Sequence, residues 1–472
     1  MNFLDTRSVV SDGDISGQGI SPAPDIFTSL ESNVRSYCRK FPVVFATAKN
    51  ATLVDESGRR YIDFLAGAGA LNYGHNNDAI KKALIEYLAG DGVTHSLDLH
   101  TTAKREFLRR FQDVILEPRG YNYKIQFTGP TGTNAVEAAL KLARKLTGRE
   151  NVVAFTNAFH GMSLGSLAAS AREWKRMAAG ISLGGVIRMP FDGYLGEGID
   201  TIDVIEAMLF NAGGGIDQPA AFILETVQAE GGLNVASAGW LKRLAALAKQ
   251  HGALLIIDDI QAGCGRAGTF FSFERAGIKP DMVCLSKSIG GYGLPMALLL
   301  IRPDLDCWKP GEHNGTFRGN NLAFIAATAA LEFWSDPRFE AEIADKADAV
   351  HRCLVAIAAR WTASRATIRG RGLLQGVAFA DPSIAADVSR RAFNAGVIVE
   401  LCGARDEVVK IMPPLTIEKD VLIEGLNRVA NAVVELQQPR LAARRTRKLG
   451  KARPPLQHHG AKGNAHAVSD RP

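Results

Sequence analysis

From about residue 78 to residue 330, short apolar runs alternate with helical patterns, and no other feature of the chain restricts its fold as tightly. The clearest strands are 152–155, 221–224, 254–257 and 282–285, and the clearest helices are 134–146 and 238–250. Strands that read as continuous apolar runs are covered on both faces, and helices between parallel strands form right-handed crossovers. The expected fold class is α/β, with a large domain built on a mostly parallel sheet sandwiched by helices.

The flanks differ from this core. Residues 1–24 are rich in Ser, Gly, Asp and Pro and read as a flexible leader. Residues 25–77 alternate apolar stretches with a turn at 55–58, the pattern of a small meander. After the large domain, expected over 78–335, come a long helical stretch at 339–364, strands at 369–380 and 408–412, and a helix at 419–436. Segment 336–438 has too few strands for a large sheet, so it is expected to join 25–77 in a smaller α+β domain drawn from both ends. Residues 439–472 have little apolar content and are expected to form a disordered basic tail. That tail holds Arg440, Arg444, Arg445, Arg447, Lys448, Lys451, Arg453, Lys462 and Arg471 against one acid, Asp470, and so accounts for more than the chain's whole formal surplus of +6. The body is nearly neutral, and no nucleic-acid partner is expected. No apolar run reaches the roughly 18 residues of a spanning helix, and no secretory signal is visible, so no membrane partner is expected. Six scattered cysteines without C-x-x-C spacing argue against a metal site and for a reducing cytoplasm.

In a parallel sheet, reactive groups gather at the carboxyl ends of strands. Three apolar runs end in an ionisable residue: Leu224 leads into Glu225, Ile257 into Asp258, and Leu285-Ser286 into Lys287. Phe127 to Glu137 places glycines and hydroxyls before a good helix, with Asn134 as an N-cap and Glu137 three residues on; the free N–H groups of such a start attract an anion. Each feature has an ordinary reading as well. A helix start can be only a flexible turn, a lysine after a strand only a solvated end, and Asp258 or its neighbour Asp259 only a cap. A lysine in apolar surroundings nevertheless keeps its amine available for condensation with an aldehyde, and a buried carboxylate needs a cation such as a protonated pyridine.

The strings LIIDDIQAGCGRAG (255–268), GAGALNYGHNN (67–77), FTGPTGTNAVEAAL (127–140), NAFHGMS (157–163), ETVQAEGG (225–232), SKSIGGYG (286–293) and NGTFRGNN (314–321) together resemble the class III aminotransferases. These are fold-type-I enzymes of pyridoxal 5′-phosphate (PLP), and the resemblance spans about residues 26–436. It implies a seven-stranded-type sheet, PLP as cofactor, and Lys287 as the lysine that condenses with the cofactor aldehyde and carries the proton. By the same resemblance Asp258 pairs with the pyridine N–H, Gln261 reaches the phenolic oxygen, Phe159 and Ile260 cover the ring faces, and Gly132 and Thr133 hold the phosphate. Thr316 is similar to the residue that completes the phosphate site of a neighbouring subunit, which implies at least a homodimer. Glu230 resembles a glutamate that pairs with an arginine in many relatives, but here Lys410 stands where that arginine is found, and lysine lacks arginine's planar two-point grip on a carboxylate. Both are expected at the substrate. ESNVRSYCRKFPVVF (31–45), the Asp-Asp pair of DDIQAGCGR and PGEHNGTFRGNN are most similar to the diaminobutyrate–2-oxoglutarate group of the ectoine type. That implies an amino donor and 2-oxoglutarate or glutamate as partners, serving ectoine, siderophore or peptide synthesis; the alternative is another ω-aminotransferase, acting on ornithine, acetylornithine or 4-aminobutyrate.

Overall fold

The structure, a computed structural model, describes residues 25–361 and 366–449. The leader at 1–24 and the tail at 450–472 lie outside the described residues. The chain divides into two compact units, 1–43 and 44–472. The first contains two short helices, Ile26–Leu30 and Tyr37–Lys40. All that follows concerns the second.

It opens with an antiparallel meander of β1 (Phe45–Lys49), β2 (Thr52–Asp55) and β3 (Arg60–Asp63). Asp55 makes the second turn: its carboxylate accepts from the backbone N–H groups of Ser57 and Arg59, at 2.9 and 3.0 Å, and from the Tyr61 hydroxyl at 2.9 Å. Such Asx geometry closes a turn without help from distant residues.

Next come β4 (Lys124–Phe127), β5 (Val152–Phe155), β6 (Val186–Met189), β7 (Ala221–Leu224), the short pair β8 (Val227–Gln228) and β9 (Asn234–Val235), then β10 (Leu254–Asp258), β11 (Met282–Leu285) and β12 (Leu298–Ile301). Seven of them form the central sheet in the order β4-β12-β11-β10-β7-β5-β6. Neighbours run parallel from β11 to β6, and β12 runs antiparallel to both β11 and β4. Every residue of β5, β7, β11 and β12 is buried, which is why these strands read as unbroken apolar runs. Their side chains still alternate. Val152, Ala154, Ala221, Ile223 and Ile256 pack with Ala135, Val136 and Ala139 of the Gly132–Thr147 helix on one face. Val153, Phe155, Phe222, Leu224 and Ile257 pack with Trp240, Leu241 and Leu244 of the Ala238–Gln250 helix in the other layer. The sheet is therefore covered on both sides, as expected.

The last segment holds the Pro337–Arg360 helix, capped where Asp336 accepts from the Arg338 N–H at 3.0 Å. Five strands follow: β13 (Thr367–Arg371), β14 (Leu374–Ala378), β15 (Val397–Ile398), β16 (Glu400–Cys402) and β17 (Val408–Ile411). The run expected as one strand at 369–380 is a hairpin, because Gly372 turns the chain with φ +63°. β13-β14-β17-β16 form one antiparallel sheet, while β15 pairs parallel with β3 beside the N-terminal meander. The final helix, expected to stop at residue 436, is Lys419–Leu449. Residues 440–449 consist largely of Arg, Leu, Ala and Lys, all good helix formers, so its backbone carries the helix into the segment expected to be a disordered tail.

Candidate active site

Parallel pairing brings the three ionisable strand ends to one edge. Ile257 of β10 sits opposite Leu224 of β7, and Asp258 sits opposite Cys284 of β11, so Glu225, Asp258 and Lys287 follow side by side. They line a single cavity together with Gly132, Thr133, Phe159, Ile260, Gln261 and Glu230. The structure therefore brings these residues together around one space. His160 and Gly161 complete the wall.

Lys287 adopts φ +53°, a left-handed conformation that costs a non-glycine residue on the order of 1–2 kcal/mol and collects at functional sites. The turn beyond it closes against Ala326 at Gly291, where a Cβ would meet a carbonyl oxygen at 2.4 Å. Burial draws the Lys287 ammonium below the usual lysine range; Glu230 opposes this and Lys410 reinforces it. Among the described residues no hydrogen bond or ion pair holds its Nζ. Such burial favours the neutral amine, the form that condenses with an aldehyde.

Asp258 is held from two sides. Its Oδ2 accepts from His160 Nδ1 at 2.7 Å and its Oδ1 from the Ile260 N–H at 3.2 Å, with the imidazole wholly buried. Asp259 points the other way. Its Oδ2 accepts from the Ser272 N–H at 2.9 Å, and burial pushes the carboxyl up to about 7. Glu225 accepts from the Phe159 N–H at 2.9 Å, which fixes the backbone that presents the Phe159 ring, and burial raises its carboxyl well above the usual range.

The helix at Gly132 starts differently from expectation. Its N-cap is Thr131, and Asn134 is the residue three positions on whose Oδ1 accepts from the Thr131 N–H at 3.2 Å and hydroxyl at 2.8 Å. Gly132 and Thr133 thereby occupy the first turn, where N–H groups lack helical partners. Glu137 takes no part in the cap; it accepts from Ser163 Oγ at 2.7 Å and the Ser166 N–H at 3.0 Å, drawing that loop against the helix start. Thr133 Oγ1 hydrogen-bonds both serine hydroxyls.

Lys410 lies on β17 opposite Glu400 of β16, and its side chain is 0% exposed. Its ammonium meets Glu230 Oε1 at 2.8 Å and Glu400 Oε2 at 2.9 Å, with Gln261 Oε1 at 3.4 Å. Burial alone would lower it, but Glu230 and Glu400 raise it well above the usual range. Burial likewise opposes ionisation of Glu230, yet Lys410, Lys287 and Lys175 hold its carboxyl at about 2. Gln261 donates to the Ala68 carbonyl at 3.1 Å. Two expected residues do not line the cavity: Lys410, which lies behind Glu230, and Thr316, which is exposed on a short turn, its carbonyl accepting from His95 Nε2 at 2.9 Å. Sequence reasoning assigned no role to His160 or Glu400. NAFHGMS contained the histidine, but nothing local linked it to Asp258; Glu400 becomes visible only through strand pairing.

A phosphorylated pyridine aldehyde fits this set. A Cβ on Gly132 would lie 2.9 Å from Ile260 Cδ1, so only glycine lets the helix start close on the residue that covers the ring position. Gly161 has the same role opposite Thr133, where a Cβ would sit 2.5 Å from Oγ1. Paired glycine, hydroxyl and helix-start N–H groups suit a phosphate, the fixed Asp258 suits a pyridine N–H, and Lys287 suits the aldehyde.

Sheet, strand-end lysine and aspartate together define a fold-type-I aminotransferase site. The family model Aminotransferase class-III matches residues 35–433, and the chain belongs to that family, whose members depend on PLP. It is 53% identical over 412 residues to the diaminobutyrate–2-oxoglutarate transaminase of Halalkalibacterium halodurans, covering 87% of this chain and 96% of that one. It is 56% identical to the enzyme of the same name from Vibrio cholerae serotype O1, covering 87% and 100%. Among solved structures, the ornithine aminotransferase of Toxoplasma gondii ME49 superposes with a TM-score of 0.77 at 26% identity, covering 88% of this chain and 94% of that one. No helix among the described residues is long and apolar enough to cross a membrane.

Proposed function

We propose that this aminotransferase exchanges the C4 amino group of L-2,4-diaminobutyrate with that of L-glutamate, interconverting diaminobutyrate plus 2-oxoglutarate with L-aspartate 4-semialdehyde plus glutamate. The observation that carries the reading is the set of transaminases of that name at 53% and 56% identity over 87% of the chain, and a cavity that brings Lys287, Asp258 and Glu230 together supports it. Bound PLP supplies an aldehyde and an electron-withdrawing ring. Lys287 Nζ, lowered by burial, takes the proton from the amine-bearing carbon of the substrate and hands it on. In that complex Asp258 would hold the pyridine N–H, with His160 fixing the carboxylate's orientation, Gln261 would face the phenolic oxygen, Phe159 and Ile260 would cover the ring, and Gly132 and Thr133 would hold the phosphate. Glu230, ionised and at the outer side of the cavity, receives the α-ammonium of diaminobutyrate, and Lys410 positions it.

The active unit in this reading is a homodimer in which the exposed Thr316 of one subunit completes the phosphate site of the other. It works in the cytoplasm, where its six free cysteines stay reduced, and supplies diaminobutyrate for ectoine or another diaminobutyrate-derived product. Within the second unit, residues 44–77 and 336–438 act as one smaller domain, in line with the pairing of β3 with β15. The test is a panel of amino donors with 2-oxoglutarate: diaminobutyrate is expected to exceed ornithine, acetylornithine and 4-aminobutyrate, and ornithine or 4-aminobutyrate at a matching rate sinks the assignment.

A further inference from the structure

Resting on that reading, we propose that Lys175 is the residue that grips the substrate carboxylate remote from the reacting carbon, and that it does so in both half-reactions. Lys410, the other lysine expected at the substrate, is poorly placed for it. Lys410 is 0% exposed and already lies between two carboxylates, at 2.8 and 2.9 Å, so an incoming anion has no free surface of its ammonium to touch.

A second cavity adjoins the first, sharing Phe159 and Glu230 with it and opening past Arg172, Trp174 and Ala404. Lys175 stands beside this junction rather than in either wall: it is half-buried, its Nζ 4.7 Å from the centroid of the Phe159 ring, which lines both cavities, and 5.5 Å from that of Trp174, which lines the second. Among the described residues no carboxylate is paired with it. Arg172, the other cation there, is committed: it holds Asp406 at 2.8 Å and the Gly403 carbonyl, on a loop whose Gly403 N–H donates to the Glu230 carbonyl at 3.0 Å. Burial draws the Lys175 ammonium down, Arg172 adds to this, and Glu230 acts the other way. A partly desolvated cation resting on two rings, without an anion, is where a substrate carboxylate gains most.

The chemistry of the two amino donors explains how one cation serves both. In diaminobutyrate the reacting carbon is C4 and the carboxylate carbon is C1; in glutamate they are C2 and C5. Each pair is three bonds apart. With the reacting carbon at Lys287, both distal carboxylates reach the same place. The donors differ in what else they carry: diaminobutyrate has an α-ammonium for Glu230, whereas glutamate brings a second carboxylate on the reacting carbon itself. Beside the ionised Glu230, a distal carboxylate would be repelled unless a cation faced it, and Lys175 is that cation.

The experiment compares wild-type holoenzyme with Lys175→Gln and Lys175→Arg, following each half-reaction by the cofactor's absorbance in single turnovers. Lys175→Gln is expected to weaken glutamate and diaminobutyrate alike by about 10- to 100-fold, with the maximal rate held within about threefold. Lys175→Arg is expected to restore most of the loss. Propane-1,3-diamine, which keeps the terminal amine but has no carboxylate, should react equally with all three. Glutamate affinity unchanged in Lys175→Gln, or propane-1,3-diamine weakened in parallel, would overturn the proposal. If wild type rejects diaminobutyrate while glutamate still depends on Lys175, the amino-donor assignment fails and the role of Lys175 stands.

Discussion

The floor of the site and its mouth hold buried charge in opposite ways. At the floor the groups around Lys287 are tied in place: Asp258 is held by His160 and the Ile260 N–H, and Thr133 by two serines tied to Glu137. At the mouth the pairing is uneven, with Lys410 between two acids and Lys175 facing none. The difference follows from what each region meets. The floor holds one cofactor throughout the cycle, and fixed hydrogen bonds around Asp258 and Thr133 suit that constancy. The mouth receives two donors of different charge, so it has to present an anion and a cation that are not wholly satisfied by each other.

The largest expected effect tests the floor. Lys287→Ala should reduce turnover by at least ~10⁴-fold, since it removes both the covalent attachment and the proton carrier; borohydride treatment followed by mass spectrometry should find no cofactor fixed to the chain. Asp258→Asn should cost roughly 10²–10³-fold in kcat, the scale for removing one preorganised electrostatic contact, with little change in KM. Moving to the mouth, Lys410→Met leaves the buried Glu400 and the partly buried Glu230 without their cation and should lower unfolding free energy by about 3–5 kcal/mol in denaturant titrations. Glu230→Gln should separate the two donors, raising KM for diaminobutyrate by about tenfold while leaving glutamate unweakened. Equal effects on both donors would erase the proposed division of labour at the mouth.

The smallest effect concerns Asp259, which borders the floor without facing it. Its carboxyl is raised to about 7 from 3.8, so between these values the folded state binds more protons than the unfolded one. Stability should therefore fall as pH rises from about 4 to 7 and level off above, and Asp259→Asn should flatten that slope.

Much of the floor was legible because it is written in contiguous runs. Strands buried on both faces read as unbroken apolar segments, and each ends in the residue it presents, so Glu225, Asp258 and Lys287 could be placed on one sheet edge before any pairing was known. The mouth was not legible in this way. Glu400 meets Lys410 only because β16 and β17 pair antiparallel, and β16 is three residues long, too short to show alternation. His160 reaches Asp258 across 98 residues with no periodic signal between them. The helix cap was displaced from Asn134 to Thr131 because both residues are good caps, and the Thr131 N–H and hydroxyl both donate to Asn134 Oδ1, which fixes Asn134 inside the first turn. Thr316 could not be located from one chain's own packing, since its expected place is on a neighbouring subunit.

The central claim is regiochemical: the amine at C4 reacts, while the α-amine is held away at Glu230. The most direct measurement supplies L-2,4-diaminobutyrate carrying ¹⁵N at C4 alone, or at C2 alone, with 2-oxoglutarate, and reads the label in glutamate by mass spectrometry. The account predicts labelled glutamate from the C4 sample and unlabelled glutamate from the C2 sample. Label arriving from C2 would contradict it.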